Sequence, residues 1–542
     1  MLTYSFEDIG KVSLYEHLYK CIKADIISGK IKPNEKLPSK RAFAKNLGIS
    51  VITVENSYEQ LIAEGFVYSA EKKGYYAADI SSFNTPTEFF SSASSVSKGR
   101  ELSFSSGTKD SNVSQYSSDT KDSNVSQYSS DTKDSKSPRS LKEEGIDIQK
   151  SSLLADFSSN ETSPENFPFT TWAKISRSVL LEKQTELLTN SPSGGVYELR
   201  EAIASYLKAF RGITAEPEQI IIGAGTEYLY SLIIQLIGFD KLYAMEDPGY
   251  SKLSKIYERY GIKYVNIPID KNGMTEAGLR KANADCVHIT PSHHFPTGIT
   301  MPITRRIELL KWAIDEKERY IIEDDYDSEF RMSGLPLPAL RSIDKTGKVI
   351  YINTFNKSLS STMRVSYMVL PESLLKSFNE KLGFYSCSVS NFIQYSLAAF
   401  IEKGHLDHHI SRMRTYYHAK RDALLKKIKN SPLSKYVTII EQNSGLHFLM
   451  HINTKLSDKE FCSAALKNGV KLLPVSDYYS SSSAEYPVLF NTFENTEKNR
   501  AEKNTLQRGN IKHIYIINYS SLKDEAIDKS LDAILRAIIK PA

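Results

Sequence analysis

The chain has 542 residues, of which 40% are hydrophobic and 25% are charged, and its net charge at pH 7 is +5. This length exceeds what one hydrophobic core supports, so two or three domains are expected, and any nucleic-acid-binding surface must be local. The first residues lack the pattern of a signal peptide, and no apolar run of about 18 residues predicts a membrane span. Four widely spaced cysteines indicate neither a disulfide framework nor a zinc site, so a cytoplasmic protein is expected.

Residues 1–79 carry the pattern of three helices followed by a β-hairpin. Apolar spacing predicts a helix over 14–28. Ser39 is placed to cap a second helix, which Gly48 breaks, and Ser50 is placed to cap a third over 51–63. FVYSA and GYYAA, joined by a short polar turn, predict the hairpin. This order is typical of a winged helix-turn-helix that binds DNA, whereas a small packing domain with solvated charges is the alternative.

The third helix is predicted to enter the major groove and to present Thr53, Asn56 and Ser57. Residues at the start of the second helix and the lysines of the wing are predicted to hold phosphates, which fixes register without specifying sequence. The complete predicted set of DNA-binding residues is Ser39, Lys40, Arg41, Ser50, Thr53, Asn56, Lys72, Lys73 and Gly74.

Residues 80–150 are rich in serine and poor in large apolar side chains. The unit KDSNVSQYSSDT occupies 109–120 and recurs unchanged at 121–132. A repeat this short and polar cannot bury a core, so the segment is predicted to be a flexible linker.

From 151 to 542, short apolar runs alternate with helical stretches such as 302–318. This alternation predicts an α/β domain built around a mostly parallel sheet. The runs predicted to be buried strands are 219–225, 241–246, 285–290, 319–324 and 348–355.

Residues near the ends of these strands supply the groups that pyridoxal 5′-phosphate (PLP) requires. Lys357 follows a strand and offers the amine for a Schiff base, while Asp324 offers a carboxylate for the pyridine nitrogen. Tyr326 offers a donor for the phenolate oxygen, and Thr354 and Arg364 can both reach a phosphate.

Two further motifs complete the predicted cofactor site. Gly225 and Thr226 join a strand to a helix, so their amides would face the phosphate at the positive end of that helix. Tyr250, in the turn DPGY after the next strand, could stack on the cofactor ring. Each feature alone is weak, since single lysines and acidic runs are usually solvated, and it is their order that indicates a PLP site.

Residues 12–79 resemble the winged helix of GntR-type regulators, and the motif order after 151 resembles the fold-type-I aminotransferases. The combination is similar to the MocR branch of the GntR family. The resemblance implies the roles given above for Lys357, Asp324, Tyr326 and Tyr250, with Thr226, Thr354 and Arg364 at the phosphate. It also implies a homodimer that reads two half-sites of double-stranded DNA and responds to PLP, an amine or an amino acid.

The chain departs from the enzyme pattern at several positions. Phe295 replaces the asparagine usual before Pro-Thr-Gly, Asn190 stands where a tyrosine is frequent, and Ile516 occupies the expected place of the substrate-carboxylate arginine. In the winged helix, Val51 and Ile52 stand where an arginine is frequent. These departures favour a PLP-dependent transcription regulator that catalyses little turnover. The two alternatives are a working aminotransferase and a DNA-binding protein whose second domain is an inert scaffold.

Histidines at 293, 294, 405, 408 and 409 raise the alternative of a metal site, because an i, i+4 pair on a helix can hold zinc. No third ligand accompanies the pair His405 and His409, so packing at a helix start is the favoured interpretation and no metal is predicted. His293 and His294 could touch the cofactor instead.

Overall fold

The structure is a computed structural model, and it describes residues 2–6, 13–70, 73–80, 153–159, 161–331, 337–440, 445–480 and 513–539. Three helices and a hairpin form its N-terminal part. The predicted linker over 80–150, apart from Ile80, and Lys72 of the wing lie outside the described residues. The elements of this part are α1 (Leu14–Ile27), α2 (Lys40–Leu47), α3 (Val51–Glu64), β1 (Val67–Ala70) and β2 (Gly74–Ala77).

The ends of α2 and α3 follow from the capping residues that the sequence supplies. The Ser39 hydroxyl accepts a hydrogen bond from the Ala42 amide, and the Ser50 hydroxyl accepts one from the Thr53 amide, so both helices have side-chain N-caps. Glycines in the left-handed conformation terminate both helices. The winged helix-turn-helix predicted from the sequence is therefore confirmed.

The larger part of the structure has an α/β architecture, as the sequence predicts. Its helices are α4 (Phe169–Glu182), α5 (Gln184–Leu188), α6 (Tyr197–Arg211), α7 (Thr226–Ile237), α8 (Ser251–Arg259), α9 (Glu276–Ala282), α10 (Ile303–Ile314), α11 (Leu340–Ile343), α12 (Glu372–Leu382), α13 (Asn391–Glu402), α14 (His405–Asn430), α15 (Asp458–Lys467) and α16 (Ile527–Ile539). Its strands are β3 (Ala155–Asp156), β4 (Ile220–Gly223), β5 (Leu242–Asp247), β6 (Lys263–Asp270), β7 (Gly273–Met274), β8 (Cys286–Ile289), β9 (Tyr320–Asp324), β10 (Val349–Thr354), β11 (Ser366–Val369), β12 (Val437–Ile440), β13 (His447–Ile452), β14 (Val470–Lys471), β15 (Leu473–Pro474) and β16 (Ile514–Asn518).

Eight strands form the central sheet in the order β4-β11-β10-β9-β8-β5-β6-β7. Strands β10, β9, β8, β5 and β6 pair in parallel, whereas β11 and β7 pair antiparallel with their neighbours. Because parallel strands end at the same edge, the segments after β5, β8, β9 and β10 meet there, which is where ligands bind in such sheets.

A second sheet, in the order β12-β13-β16-β15, is antiparallel and packs with α14, α15 and α16 around its own apolar cluster. None of the described helices is both long and apolar enough to cross a membrane. Within the described residues, no group of three or more His, Cys, Asp or Glu side chains is arranged to hold a metal ion.

The winged helix packs directly on the larger domain at the end of α3. Buried side chains from both parts, including Leu18 and Phe66 on one side and Met301 and Ile303 on the other, belong to one continuous apolar cluster. Gly65 approaches so closely that an added Cβ would lie 2.7 Å from the Cβ of Pro302 and 3.1 Å from the amide nitrogen of Ile303. Only glycine fits this contact, which joins the last turn of α3 to the first turn of α10.

Candidate functional site

The exposed surface of α3 carries the side chains that are available to a DNA groove. Asn56 is exposed and Thr53 is partly exposed, as the sequence analysis predicts for groove-facing residues. Ile52 is also exposed, with 67% of its surface accessible, although it was not among the predicted DNA contacts. An exposed isoleucine on this helix provides an apolar surface suited to the methyl group of thymine.

Two residues of the predicted DNA surface are engaged inside the protein. The prediction that Ser57 faces the groove is wrong, because Ser57 is fully buried and its hydroxyl donates to the carbonyl oxygens of Tyr15 and Thr53. The Lys40 ammonium lies 2.5 Å from a carboxylate oxygen of Glu55 and does not point freely outward. Arg41 and Lys73, in contrast, are exposed.

Asp324 ends β9 and its carboxylate is held by two side chains from neighbouring elements. The Tyr230 hydroxyl, on α7, donates to Asp324 Oδ2 at 2.6 Å and lies 2.9 Å from His288 Nε2, on β8. The other oxygen, Oδ1, is buried and has no hydrogen-bond partner among the described residues. A buried carboxylate oxygen of this kind has room to accept a further hydrogen bond.

Asp325, the next residue, has a structural role that separates it from Asp324. Its Oδ2 lies 2.8 Å from Arg211 Nη2, and both side chains are almost fully buried. The hydroxyl groups of Tyr351 and Ser328 donate to the same carboxylate at 2.6 and 2.8 Å. Asp325 is therefore held within the segment after β9, although its Oδ1, like that of Asp324, has no hydrogen-bond partner among the described residues.

Lys357 lies in the turn that follows β10, and only 7% of its surface is exposed. Burial lowers the pKa of its amine to about 7, while the negative charges of Asp327 and Glu161 oppose this shift. An amine with this pKa is largely neutral at slightly alkaline pH and can act as a nucleophile, which an ordinary surface lysine cannot do efficiently.

Imidazole and aromatic rings surround the space near Lys357. His293 Nδ1 lies 2.8 Å from Asp327 Oδ2 and 3.1 Å from the Tyr326 hydroxyl, and its ring lies 4.8 Å from that of His447. Phe295 packs edge-on against His447 and Tyr326. Burial lowers the pKa of His447 well below its usual range, so this ring is neutral and adds no positive charge.

The turn between β4 and α7 meets Arg364 at the far end of the same sheet edge. Gly225 has φ 104°, a conformation that favours glycine, and the position of a Cβ there would lie beside Nη2 at the flexible end of Arg364. Arg364 Nη2 donates to the Ala224 carbonyl at 3.1 Å and to Glu227 Oε2 at 2.8 Å. Thr226 is the first residue of α7, whose amides carry partial positive charge.

Thr354 and Tyr250 are the two remaining residues of the predicted cofactor site. The Thr354 hydroxyl accepts from Ser366 at 2.8 Å and donates to the Val365 carbonyl at 3.3 Å, so it is engaged within the protein. Burial raises the pKa of Tyr250, and the negative charges of Asp324 and Glu227 add to this shift.

Ile516 lies in β16, and its side chain is buried against Leu449, Val475 and Ile514. No charge is therefore supplied at this position, and a carboxylate anchor expected from a working aminotransferase is missing there.

Tyr230, His288, Arg211 and Glu227 are the residues of this region that sequence reasoning missed. Glu227 directly follows Gly225 and Thr226 in the chain, so its acidic side chain beside a predicted phosphate site was a visible signal. The other three reach the site from elements far away in sequence, and no local pattern marks them.

A winged helix and an aminotransferase-type α/β domain in one chain define a DNA-binding protein with an aminotransferase-like second domain. The family model "Bacterial regulatory proteins, gntR family" matches residues 14–76, and "Aminotransferase class I and II", a PLP-dependent family, matches residues 154–484. The chain belongs to the MocR-type branch of the GntR family of transcriptional regulators.

Relatives from bacteria agree with this assignment, and a solved structure has the fold of the larger domain. The chain is 36% identical to the HTH-type transcriptional regulator YdeL of Bacillus subtilis over 86% of the chain and 90% of the relative. It is 28% identical to the probable rhizopine catabolism regulatory protein MocR of Rhizobium meliloti over 87% and 88%. The multiple substrate aminotransferase of Thermococcus profundus has the same fold, with a TM-score of 0.59 and 23% identity over 72% of the chain and 92% of that structure.

Proposed function

We propose that the chain is a PLP-responsive transcription regulator, in which the winged helix binds double-stranded DNA and Lys357 carries the cofactor. The observation that supports this most strongly is the pairing of a buried, low-pKa lysine with a carboxylate that has one unsatisfied oxygen, Asp324 Oδ1, at the edge of one sheet. A regulator that binds chromosomal DNA would act in the cytoplasm.

The residues present fit PLP at both of its ends. Asp324 Oδ1 would accept a hydrogen bond from the protonated pyridine nitrogen, while Tyr230 and His288 hold the other oxygen in place. Arg364, Gly225 and the first amides of α7 would hold the phosphate. When bound, the cofactor supplies an electron-withdrawing ring and an aldehyde that reacts with amines.

Other side chains would position the ring. Tyr250 would stack against it, since the charges of Asp324 and Glu227 at the two ends of the site both act on its hydroxyl, and Tyr326 would donate to the phenolate oxygen. Tyr326 is already 3.1 Å from His293, so this imidazole would orient the hydroxyl. Thr354 would reach the phosphate only if its hydroxyl released the Val365 carbonyl.

Efficient transamination is disfavoured by the side chains where substrates would be held. Ile516 and Phe295 present apolar surface at two positions that would otherwise supply polar contacts, and the adjacent His447 is neutral. A substrate carboxylate would therefore lose charge-assisted hydrogen bonds there. The effector would be PLP itself or an amine that exchanges with Lys357. A working aminotransferase is the second candidate, favoured by the intact Lys357, Asp324 and Tyr326.

On the DNA side, the proposed base-contacting residues are Thr53 and Asn56 of α3, which would lie in the major groove. Exposed residues of α2, the N-cap of α3 and the wing would hold the phosphate backbone. The proposed backbone contacts are Ser39, Arg41, Ser50, Lys73 and Gly74, with Lys40 contributing only if its ion pair with Glu55 opens.

A short segment connects the cofactor site to the winged helix. Asp324 begins it, and Arg331 ends its described part next to the winged helix. Burial lowers the pKa of Arg331, and the negative charge of Glu64, in the last turn of α3, opposes this shift. Glu64 is itself held by Tyr19 at 2.7 Å and by Lys23 at 2.8 Å. Movement of this segment on cofactor binding would therefore act on the base of α3.

The chain is also proposed to form a homodimer. Helices α4, α5 and α13 pack on one another and leave large apolar side chains exposed, among them Phe169, Leu181, Leu188 and Phe392. Exposed apolar groups of this kind are typical of a surface that a second subunit covers. A dimer would present two winged helices to paired half-sites.

Reductive trapping tests the proposed cofactor attachment. The purified full-length protein is incubated with PLP, reduced with borohydride and digested, and mass spectrometry should place the adduct on Lys357. Lys348→Ala, which removes a lysine just before β10, should retain the adduct, whereas Lys357→Ala should lose it. An adduct that persists in Lys357→Ala would contradict the assignment.

The same preparation separates the regulator from the enzyme. Visible absorbance of the PLP-loaded protein should change with some amines or amino acids, while steady-state transfer to 2-oxo acids stays negligible. Turnover at ordinary enzymatic rates, about 10 per second, would favour the aminotransferase instead.

A further inference from the structure

The phosphate end of the proposed cofactor site contains a carboxylate. Glu227 Oε2 lies 2.8 Å from Arg364 Nη2, and this is the same guanidinium that faces Gly225. The two side chains are 41% and 47% exposed, so both can move and both can be reached by a ligand. Glu227 is the second residue of α7, beside the amides that would bind the phosphate.

Glu227 carries a negative charge where a phosphate must bind. Partial burial opposes ionisation, but hydrogen bonds from Arg364 and from its own backbone amide outweigh it and lower the pKa of Glu227. The carboxylate is therefore ionised at neutral pH. A phosphate that approaches Arg364 meets this charge at short range and must take over its hydrogen bond, and like charges at such distances repel.

We infer that Glu227 competes with the phosphate of PLP for Arg364 and thereby sets the affinity for the cofactor. The inference rests on the proposed function. The competition raises the Kd for PLP, because the cofactor must displace an internal ligand of the same charge type, so the site would fill and empty as the PLP concentration changes. A sensor needs this property, whereas an enzyme benefits from permanent retention of its cofactor.

The surroundings of Glu227 provide an alternative partner for the displaced carboxylate. The positive charge of Lys252, the second residue of α8, also lowers the pKa of Glu227, so its ammonium lies within electrostatic reach. Lys252 is exposed and can follow the carboxylate as it moves. Arg364 would then be released to the phosphate while Glu227 keeps a cation nearby.

A negative residue in the first turn of a helix also has a simpler role, which is to stabilise the helix dipole. Glu372 offers a matched control for this role, because it stands in the first turn of α12, is exposed and lies away from the cofactor residues. If Glu227 acted only on its helix, Glu227→Gln and Glu372→Gln would both affect stability and neither would affect cofactor binding.

Equilibrium titration of the full-length apo-protein tests the inference. Glu227→Gln should bind PLP about tenfold more tightly than the parent, as repulsion of a partly exposed charge pair predicts. Pyridoxal, which lacks the phosphate, should bind all variants within about twofold, and inorganic phosphate should compete with PLP more strongly in Glu227→Gln than in the parent. Glu372→Gln should match the parent throughout.

Two results would overturn the inference. One is an unchanged Kd for PLP in Glu227→Gln; the other is an equal gain for pyridoxal, which would place the effect away from the phosphate. Thermal unfolding of each variant shows whether the fold is intact, and Glu227→Ala provides a second neutral side chain. If neither the parent nor any variant forms an adduct with PLP, the proposed function fails together with the inference, whereas equal tight binding defeats the inference alone.

Discussion

The rate at which Lys357 captures PLP should rise about tenfold between pH 6 and pH 8 and then level off. Only the neutral amine reacts, and a pKa of about 7 leaves about one tenth of Lys357 neutral at pH 6 and about nine tenths at pH 8. A lysine with an ordinary pKa near 10.4 would instead gain about tenfold per pH unit across the whole range, without a plateau. The sign follows from burial, which disfavours the charged form.

Stopped-flow absorbance measures this dependence directly. Apo-protein is mixed with PLP at each pH and the appearance of the visible band is timed. The phosphate of PLP titrates within the same range, with a second pKa of about 6. Rates with a free lysine derivative under identical conditions therefore serve as the reference, and the ratio isolates Lys357.

Two substitutions should move the midpoint in a defined direction. The charges of Asp327 and Glu161 raise the pKa of Lys357 against the effect of burial, so Asp327→Asn and Glu161→Gln should both shift the midpoint to lower pH. Glu165→Gln, at an exposed position further along the same segment, should leave it unchanged. A rate that still climbs steeply at pH 9 in the parent would refute the claim that burial governs this amine.

Three further predictions concern the winged helix, the acid at the pyridine nitrogen and the contact between the domains. Arg41→Ala should weaken binding to all DNA sequences and reduce the salt dependence of the DNA affinity. Asn56→Ala should instead change the sequence preference in a binding-site selection. If both variants bind like the parent, these residues do not contact DNA. Tyr230→Phe should weaken PLP binding about tenfold, since hydrogen bonds to charged groups contribute about 1.5–3 kcal/mol, and an unchanged Kd in the same titration would contradict the role of this hydroxyl. Gly65→Ala and Gly48→Ala should both lower the free energy of unfolding by about 1–2 kcal/mol, because both positions have a left-handed backbone. Only Gly65→Ala should also increase protease cleavage between the domains. Equal cleavage of the two variants would show that the contact is unimportant.

Much of the fold could be predicted because local signals carry it. Serine caps and glycine stops fix α2 and α3, and buried apolar runs mark five strands of the central sheet. The order of strand ends then brings Asp324, Lys357 and Gly225 to one edge, as the motif order implies. These features depend on residues near each other in the sequence, or on a rule of parallel sheets.

Side-chain partners from distant elements could not be predicted in the same way. Ser57 has the spacing of a groove-facing residue, yet α1 packs on it and buries its hydroxyl against Tyr15. The doublet Asp324-Asp325 looks equivalent in sequence, and only the buried Arg211, from α6, shows that Asp325 is the one held in an ion pair within the protein. The role of each such side chain depends on which face of its helix packs on the neighbouring elements. A single sequence does not specify the orientation of a helix to within one residue.

The interface between the winged helix and the larger domain is a second case of this limit. Gly65 looks like an ordinary helix terminator, and its left-handed conformation was predictable on that basis alone. Its close contact with Pro302 and Ile303 adds a second requirement for glycine that only the packed structure reveals.

The central claim, that a cofactor on Lys357 controls DNA binding by the winged helix, is tested most directly by one comparison. A DNA duplex selected by the full-length protein is titrated with parent and Lys357→Ala protein, each with and without PLP, at fixed salt concentration. The account predicts that PLP changes the DNA affinity of the parent severalfold and leaves that of Lys357→Ala unchanged. Equal DNA affinity of the parent with and without PLP, under conditions where the adduct forms, would contradict it.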